Sequence, residues 1–213
     1  MKIILTYKLI LIVSFIFSLL LKKNCNSSIK YFELFLGISL ILDAFIGSLF
    51  IYLEIQNAWI YNILILIQVP YFLYLFLSYF KGSSDYILFK RIIWGVVILS
   101  IINFLFIQGP THVNNFSYLL GMSVLCILIV KYYYSLLLSE VSVSLFRLPL
   151  FWLSIGILLF FTASFPILAY LNIIIDSNSM LTEPLYDLVG IGNIFLSLSY
   201  LMVILCPWMI QKS

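Results

Sequence analysis

The stretch Arg147–Tyr170 decides the fold, and it reads RLPLFWLSIGILLFFTASFPILAY. A cation, a proline and an aromatic pair come first, and no charge follows. Proline suits the first turn of a helix, because the N–H that it lacks would have no partner within the helix there. At about 1.5 Å per residue, the uncharged part is long enough to cross a hydrocarbon core of about 30 Å. It therefore predicts a transmembrane helix.

The whole chain shares the composition of this stretch. Of its 213 residues, 64% are hydrophobic and only 9% are charged, with a mean hydropathy of +1.19. Soluble domains carry about 25% charged residues. Because water cannot wet so apolar a surface, lipid must solvate most of the chain. The net charge of +3 comes without an Arg-rich helix or a basic–aromatic patch, so we expect no nucleic-acid partner.

Seven apolar runs predict an all-α fold, a polytopic membrane helix bundle with seven transmembrane helices. The runs are continuous and lack a two-residue alternation, which excludes a transmembrane β-barrel. We expect one integral membrane domain over residues 1–213. The predicted spans are residues 3–21, 32–53, 59–80, 92–107, 116–134, 150–172 and 186–208.

The positions of the cations predict the orientation. The side of the membrane that holds the C-terminus collects Lys22, Lys23, Lys30, Lys81, Lys90, Arg91, Lys131, Arg147 and Lys212. The opposite side holds Lys2, and Lys8 lies inside the first span, from which it can snorkel to the interface. Because cytoplasmic loops are rich in Lys and Arg, we expect the N-terminus outside and the C-terminus inside.

Asp43 is the most informative polar residue, because it lies midway along the second span. An unpaired charge at this depth costs about 3 kcal/mol or more, so we expect Asp43 to face the bundle or to be protonated. At about 100° per residue, its helical face also holds Ser39, Gly47 and Glu54. Two interpretations stay open: a ligand or proton site, and an aspartate that ties helices together.

Other polar side chains inside the spans are candidate partners of Asp43. The predicted ligand-binding set consists of Asp43, Ser39, Gln68, Asn103, Asn193 and Ser197, with Ser100 nearby in the fourth span. One face of the seventh helix brings together Tyr186, Asn193, Ser197 and Tyr200. Interhelical polar contacts contribute only about 0.6 kcal/mol on average. Structural attachment between helices is therefore the alternative role for each of these residues.

The sixth span contains a candidate moving part. Pro166 removes a backbone donor and clashes with the preceding turn, so it predicts a kink that acts either as a hinge or as a fixed shape. The small residues Gly156, Ala163 and Gly190 predict surfaces of close helix packing.

No residue pattern predicts a metal site, a cofactor or a catalytic residue. The three cysteines, Cys25, Cys126 and Cys206, lack the spacing of metal or redox sites, and we expect free thiols. His112 is the single histidine of the sequence and lies in a loop. A zinc site needs several such ligands.

Three segments carry a resemblance to a known family. The sixth span has a Pro-x-Phe-Trp start followed by small and aromatic residues at Pro149, Phe151, Trp152, Gly156, Leu158, Phe161 and Ser164. Asn103–Gln108 and Lys131–Leu137 add a polar end to helix four and an aromatic end to helix five. On these residues the chain resembles small seven-helix integral membrane proteins of Bacteroidota. It also resembles the N-terminal membrane module of some sensor histidine kinases.

The chain departs from that family at two places. Family members often carry a glutamate in helix five, where this chain has Leu119–Ser123, and another in helix three, where it has Gln68. Any chemistry that depends on those glutamates would be missing here. Asp43 is the candidate counterpart of an acidic residue in helix two.

The resemblance implies a stand-alone sensory or accessory module without an output domain, in the bacterial inner membrane. Its partners would be membrane lipids and a signalling protein, and a helix shift near Pro166 would accompany occupancy of a polar cavity around Asp43. Two alternatives stay open. A lipid-acting enzyme would need Asp43 within hydrogen-bond reach of Glu33, Glu54 or Asp187, and a small transporter would need a water path past Asp43.

Overall fold

A computed structural model describes residues 2–21, 31–53, 55, 57–138, 144–176 and 182–211. These residues are almost entirely helical, and no strand occurs among them. The α-helices are α1 (Lys2–Leu20), α2 (Phe32–Ser39), α3 (Ser48–Tyr52), α4 (Ala58–Tyr79), α5 (Tyr86–Ile102), α6 (Asn115–Leu137), α7 (Pro149–Asp176) and α8 (Thr182–Gln211). A short 3-10 turn at Leu145–Arg147 precedes α7.

Seven helical stretches in the described part of the chain are long and apolar enough to cross a membrane. They are Ile3–Leu20, Phe32–Phe50, Ala58–Tyr79, Tyr86–Ile107, Asn115–Leu137, Pro149–Ala169 and Asp187–Cys206. The predicted all-α seven-helix bundle is therefore confirmed, and the chain is a multi-pass membrane protein. The largest difference in a boundary is the fourth span, which begins at Tyr86 rather than at residue 92. Lys90 and Arg91 are part of that helix. Both are exposed, and their long side chains can keep the charged ends out of the lipid.

Two spans contain π-helical segments, in which a backbone N–H bonds to the carbonyl five residues earlier. The first π-segment, Leu40–Gly47, lies between α2 and α3 in the second span. The second π-segment, Asn103–Ile107, ends the fourth span. There the backbone N–H of Gln108 donates to the backbone carbonyl of Asn103 at 2.9 Å. The sequence predicts α-helix at both places. Hydrophobicity does not distinguish the two helix types, because an apolar run can form either of them in lipid.

The described chain forms two compact units. One unit comprises residues 1–40 and 140–213, and the other comprises residues 41–139. The boundary falls at Leu40, so the chain passes from the first unit to the second within the second span. The expectation of one membrane domain over residues 1–213 stays a prediction, as does the N-out orientation.

In the first unit, α8 packs against both α7 and α1. Ile3 of α1 lies against Gly190, and the Ser14 hydroxyl donates to the Ser197 carbonyl at 3.5 Å. From the first contact to the second, the residue numbers rise in both helices. The helices α1 and α8 therefore run parallel, as the first and seventh spans must. Tyr200 of α8 packs edge-on against two rings of α2, Phe32 and Phe35, at centroid distances of 5.7 and 5.9 Å.

In the second unit, α4 packs against α5 and α6. Tyr132 is 1% exposed and contacts the ring of Phe76 edge-on at 5.8 Å and that of Tyr79 at 4.8 Å. Lys131 forms an ion pair with Asp85, which fastens α6 to the start of α5. These contacts lie at the end of the unit that the orientation prediction assigns to the cytoplasm.

Small residues permit the closest helix contacts. A Cβ atom on Gly156 would lie 2.1 Å from Ser199 Oγ and 2.3 Å from its Cβ, and one on Gly121 would lie 2.2 Å from Val69 Cγ1. A Cβ on Gly190 would lie 2.7 Å from Ile3, and Ala163 lies against Gly192. The close-packing role predicted for Gly156, Ala163 and Gly190 is confirmed. Without a hydrophobic drive between helices in lipid, such contacts supply much of the attraction.

We predict that Gly156→Ala destabilises the first unit by about 1–3 kcal/mol, because the added methyl overlaps the backbone-proximal atoms of Ser199. Gly95→Ala is the matched control, since a Cβ there meets nothing within 4 Å. Thermal unfolding in lipid nanodiscs, followed by circular dichroism, should show a lower midpoint for Gly156→Ala only. Equal midpoints for the two variants would contradict the packing.

Candidate functional site

The six predicted ligand-binding residues fall in different units. Asp43, Gln68 and Asn103 belong to the unit of residues 41–139, whereas Ser39, Asn193 and Ser197 belong to the other. A single site formed by all six stays a prediction. The structure describes the surroundings of each residue within its own unit.

Asp43 lies in the middle of the first π-segment and is half-buried. The premise of about 100° per residue does not apply between Leu40 and Gly47, because a π-helix turns less per residue than an α-helix. A charged side chain in the hydrocarbon is costly, and such residues usually face the protein interior and mark functional sites. π-Segments are also frequent at functional sites. Two independent features of the backbone and the sequence therefore coincide at Asp43.

Three oxygen atoms converge beside Gly47, at the end of the first π-segment. A Cβ atom added to Gly47 would lie 3.3 Å from the Leu42 carbonyl oxygen, 3.4 Å from Tyr61 Oη and 3.9 Å from Asp43 Oδ1. Gly47 is buried, so these oxygens meet in the protein interior. Any larger residue at position 47 would fill the space between them. The hydroxyl of Tyr61 in α4 therefore lies close to the second span at Gly47.

The sequence analysis did not single out Tyr61. Its position near the start of α4 is typical of an aromatic residue at the membrane interface. The signal that was available is the short link after the second span, which forms a helical hairpin. In that hairpin Trp59 packs edge-on against Phe50 at 5.7 Å, and Tyr61 reaches Gly47 one turn deeper.

The groove next to Asp43 differs from the predicted polar cavity. It has a volume of about 460 Å³ and is lined by Ala44, Phe45, Ile46, Ser48, Leu49 and Tyr52. The lining is almost wholly apolar, and Asp43 is not part of it. This open groove suits a lipid chain. The polar surroundings of Asp43 are on the side of Gly47 and Tyr61.

Asn103 begins the second π-segment and is 6% exposed. Its side-chain amide donates to Gln108 Oε1 at 2.8 Å and to Ser117 Oγ at 3.0 Å, and it also contacts Asn114 Oδ1. The Ser117 hydroxyl in turn donates to the Ser100 carbonyl at 3.4 Å. The π-geometry places Asn103 and Gln108 close together, because the same five-residue spacing joins their backbone atoms. Asn103 therefore fastens the end of the fourth span to the start of α6.

A second amide completes this network from α4. Asn62 is fully buried; its Nδ2 donates to the His112 carbonyl at 2.8 Å, and its Oδ1 accepts from the Asn114 backbone N–H at 2.7 Å. Gln108 Nε2 donates to Asn115 Oδ1. We call the set Asn62, Asn103, Gln108, Asn114, Asn115 and Ser117 the amide network. His112 takes part through its backbone carbonyl.

Of the amide network, only Asn103 was among the predicted ligand-binding residues. The available signal was the pair Asn114 and Asn115 at the start of α6, since asparagine often bonds to nearby backbone. Two buried atoms of the network, Asn103 Oδ1 and Asn114 Nδ2, have no hydrogen-bond partner among the described residues. The contacts of Asn103 are of the kind expected for attachment between helices, and its role in ligand binding stays a prediction.

The remaining predicted residues have varied surroundings. Gln68 is half-buried in α4, and Asn193 is half-buried in α8. Ser197 is 4% exposed, and its carbonyl accepts from Ser14. Ser39 is 7% exposed, and its hydroxyl has no hydrogen-bond partner within the described ranges. The side chain of Tyr186 lies outside the described residues.

Lys8 differs from its predicted behaviour. We expected the side chain to snorkel to the interface, but it is 8% exposed and lies inside the first unit. Because α1 and α8 run parallel, with Ile3 at Gly190 and Ser14 at Ser197, Lys8 lies at a depth between those two contacts. The apolar environment of α1 gives no sequence signal for this burial. Lys8 joins Asp43 as an ionisable residue within a span.

Pro166 lies inside α7, which continues through it to Asp176. Its role as a hinge stays a prediction. The sequence analysis did not mention Pro70, which lies inside α4 next to the Val69–Gly121 contact.

Cys126 and Cys206 are free thiols, as predicted, and Cys25 lies outside the described residues. Within the described ranges, no group of three or more His, Cys, Asp or Glu side chains could hold a metal ion. Glu54, one of the proposed acidic partners of Asp43, is also outside them. Glu33 and Asp187 belong to the first unit, so the contact required by the enzyme alternative is untested.

Comparisons with known proteins give no match: neither a family model, nor a curated protein, nor a solved structure is significantly similar to this chain.

We predict that Asn62→Ala loosens the loop at residues 108–115, because it leaves the His112 carbonyl and the Asn114 N–H without their partner. Each unsatisfied buried group costs about 1–3 kcal/mol. Hydrogen exchange measured by mass spectrometry should be faster in this loop. The control is Thr111→Ala, whose hydroxyl makes an exposed contact with His112 Nδ1. Unchanged protection in Asn62→Ala would contradict the role of the network.

Proposed function

We propose that this multi-pass membrane protein is a sensory or accessory module of a bacterial inner membrane, which passes its state to a signalling protein partner. The observation that supports the proposal is the coincidence of Asp43 with the first π-segment. An ionisable residue in the hydrocarbon and a departure from the α-helix each carry a free-energy cost. A chain that keeps both at one place is expected to use them. The sequence resemblance to membrane modules of sensor histidine kinases supports the same class.

The π-segment provides a physical basis for a change of state. Conversion between π and α shifts the register by one residue, which rotates the following helix by about 100°. The second span contributes α2 to one unit and the first π-segment to the other, so a register change acts on both through the chain itself. Occupancy at Asp43 would favour one register. A shift near Pro166 in α7 is the expected output movement.

A two-state element of this kind is what coupling between a ligand site and a partner requires. A ligand changes the balance only by its difference in affinity for the two registers. Asp43 is the residue proposed to give a ligand different affinities for the two registers, because the π-geometry places it near Gly47 and Tyr61.

We predict that Asp43→Asn and Asp43→Leu abolish the signalling output while the protein still reaches the membrane. The measurement is the transcript profile of a deletion strain of the native host that carries the wild-type chain or a variant. Wild type should restore the profile, and both Asp43 variants should not. Asp85→Asn is the matched control, because it removes an acidic side chain that pairs with Lys131 outside the π-segment.

Full restoration by Asp43 variants at wild-type membrane levels would refute the proposal. A deletion that changes the lipid composition of the membrane and leaves the transcripts unchanged would favour the lipid-acting enzyme instead. Ion or solute flux through liposomes that contain the pure protein would favour the transporter.

A further inference from the structure

Basic residues from three helices come together at one end of the second unit. They are Lys81, Lys90, Arg91 and Lys131. The ring of Phe89 connects them, because Lys131 Nζ lies 5.4 Å from its centroid and the ring of Phe80 lies 5.5 Å from it. Lys81 directly follows Phe80 in the chain, and Lys90 and Arg91 directly follow Phe89. The end of α4, the start of α5 and the last turns of α6 therefore bring their cations to one place.

Acidic side chains neutralise only one of these cations. Asp85 is the one acidic residue in the sequence between residues 57 and 138, and it pairs with Lys131. Lys81, Lys90 and Arg91 are exposed, and none of the three forms an ion pair within the described part of the chain. We call these three residues the basic cluster. Because its charges are uncompensated and of one sign, the basic cluster attracts an anion.

Lys90 and Arg91 lie at the depth of the lipid headgroups. They come four and five residues after the first residue of α5, Tyr86, which places them about 6–8 Å along the helix. The polar interfacial layer of a bilayer is about 5–8 Å thick on each side. Trp94 is 59% exposed and lies one turn further in, where tryptophan prefers the boundary of the headgroup layer. The two charges can therefore reach lipid phosphates.

An exposed apolar strip continues from the basic cluster along α5. Trp94 comes three residues after Arg91 and Ile98 four residues after Trp94, and these spacings place all three on one face of the helix. Ile98 is 53% exposed, as a residue in contact with acyl chains would be. The surface thus combines a positive end with an apolar continuation. A ligand with an anionic head and acyl chains matches both parts.

We propose that Lys81, Lys90 and Arg91 bind the phosphate headgroup of an anionic phospholipid, whose acyl chains lie along Trp94 and Ile98. The guanidinium of arginine donates two parallel hydrogen bonds to a phosphate, and lysine contributes a compact positive charge. Basic residues beside a membrane span recognise anionic headgroups by this chemistry. The bound lipid relieves the repulsion among the three cations and so stabilises the second unit. This site is independent of Asp43 and of the proposed signalling role.

The test is native mass spectrometry of the purified full chain in detergent micelles, with phosphatidylglycerol or phosphatidylcholine added. The two lipids carry the same acyl chains, so only the charge of the headgroup differs. We expect phosphatidylglycerol to bind at least about tenfold more tightly, because each cation near the surface contributes about fivefold. A higher concentration of ammonium acetate should reduce the difference, since salt screens exposed charges.

Variants locate the preference on the protein. Lys90→Gln combined with Arg91→Gln should remove most of the preference for phosphatidylglycerol, and Lys81→Gln alone should weaken it about fivefold. The exchange Lys90→Arg with Arg91→Lys keeps both charges and should keep the preference. Arg147→Gln is the matched control, because it removes an exposed cation of the first unit and should leave the preference unchanged. Circular dichroism checks that each variant is folded.

Equal binding of the two lipids by the wild-type chain would overturn the inference. A preference for phosphatidylglycerol that survives in the Lys90→Gln, Arg91→Gln double variant would overturn it too, since the lipid would then bind elsewhere. Glycerol phosphate, which has the anionic head without acyl chains, separates the two parts of the ligand. It should displace phosphatidylglycerol only at a far higher concentration than the lipid. Displacement at an equal concentration would contradict the proposal, because the site would then recognise a soluble anion.

Discussion

In lipid, every backbone N–H and C=O must find its partner within the protein, and the rest of this structure depends on that constraint. The described chain meets it with helices throughout the seven spans. The two places that depart from the α-helix keep their hydrogen bonds by changing the spacing to five residues. An unpaired backbone group is costly in hydrocarbon. A π-segment changes the geometry of a span without leaving backbone groups unpaired.

The two π-segments have different consequences. Asn103 anchors the second one in the amide network, which fastens the fourth span to α4 and α6 at the end of the unit opposite the Lys131–Asp85 ion pair. Asp43 occupies the first one, and an open apolar groove lies alongside. The proposed function assigns the change of register to the first π-segment. The unusual backbone and the polar side chains coincide at Gly47, Tyr61 and Asp43.

Much of the fold follows from the sequence because hydrophobic length alone specifies a span. The seven helices agree with the predicted runs, and close contacts at Gly156 and Gly190 follow from their size. Side-chain burial and helix type do not follow, because they depend on which helices are neighbours. Lys8 is buried, which nothing in its apolar run predicts. Tyr61 has the position of an ordinary interfacial aromatic residue. Asp43 was identified because a charge in an apolar run stands out without any knowledge of packing.

The central claim is that Asp43 faces the protein interior at Tyr61 and Gly47 instead of facing lipid. Solid-state NMR of the isotopically labelled protein in lipid bilayers tests it directly. The account predicts carbon–carbon correlations from Asp43 Cγ to Gly47 Cα and to the Tyr61 ring. Correlations of Asp43 Cγ with lipid acyl chains, and none with Tyr61, would contradict it.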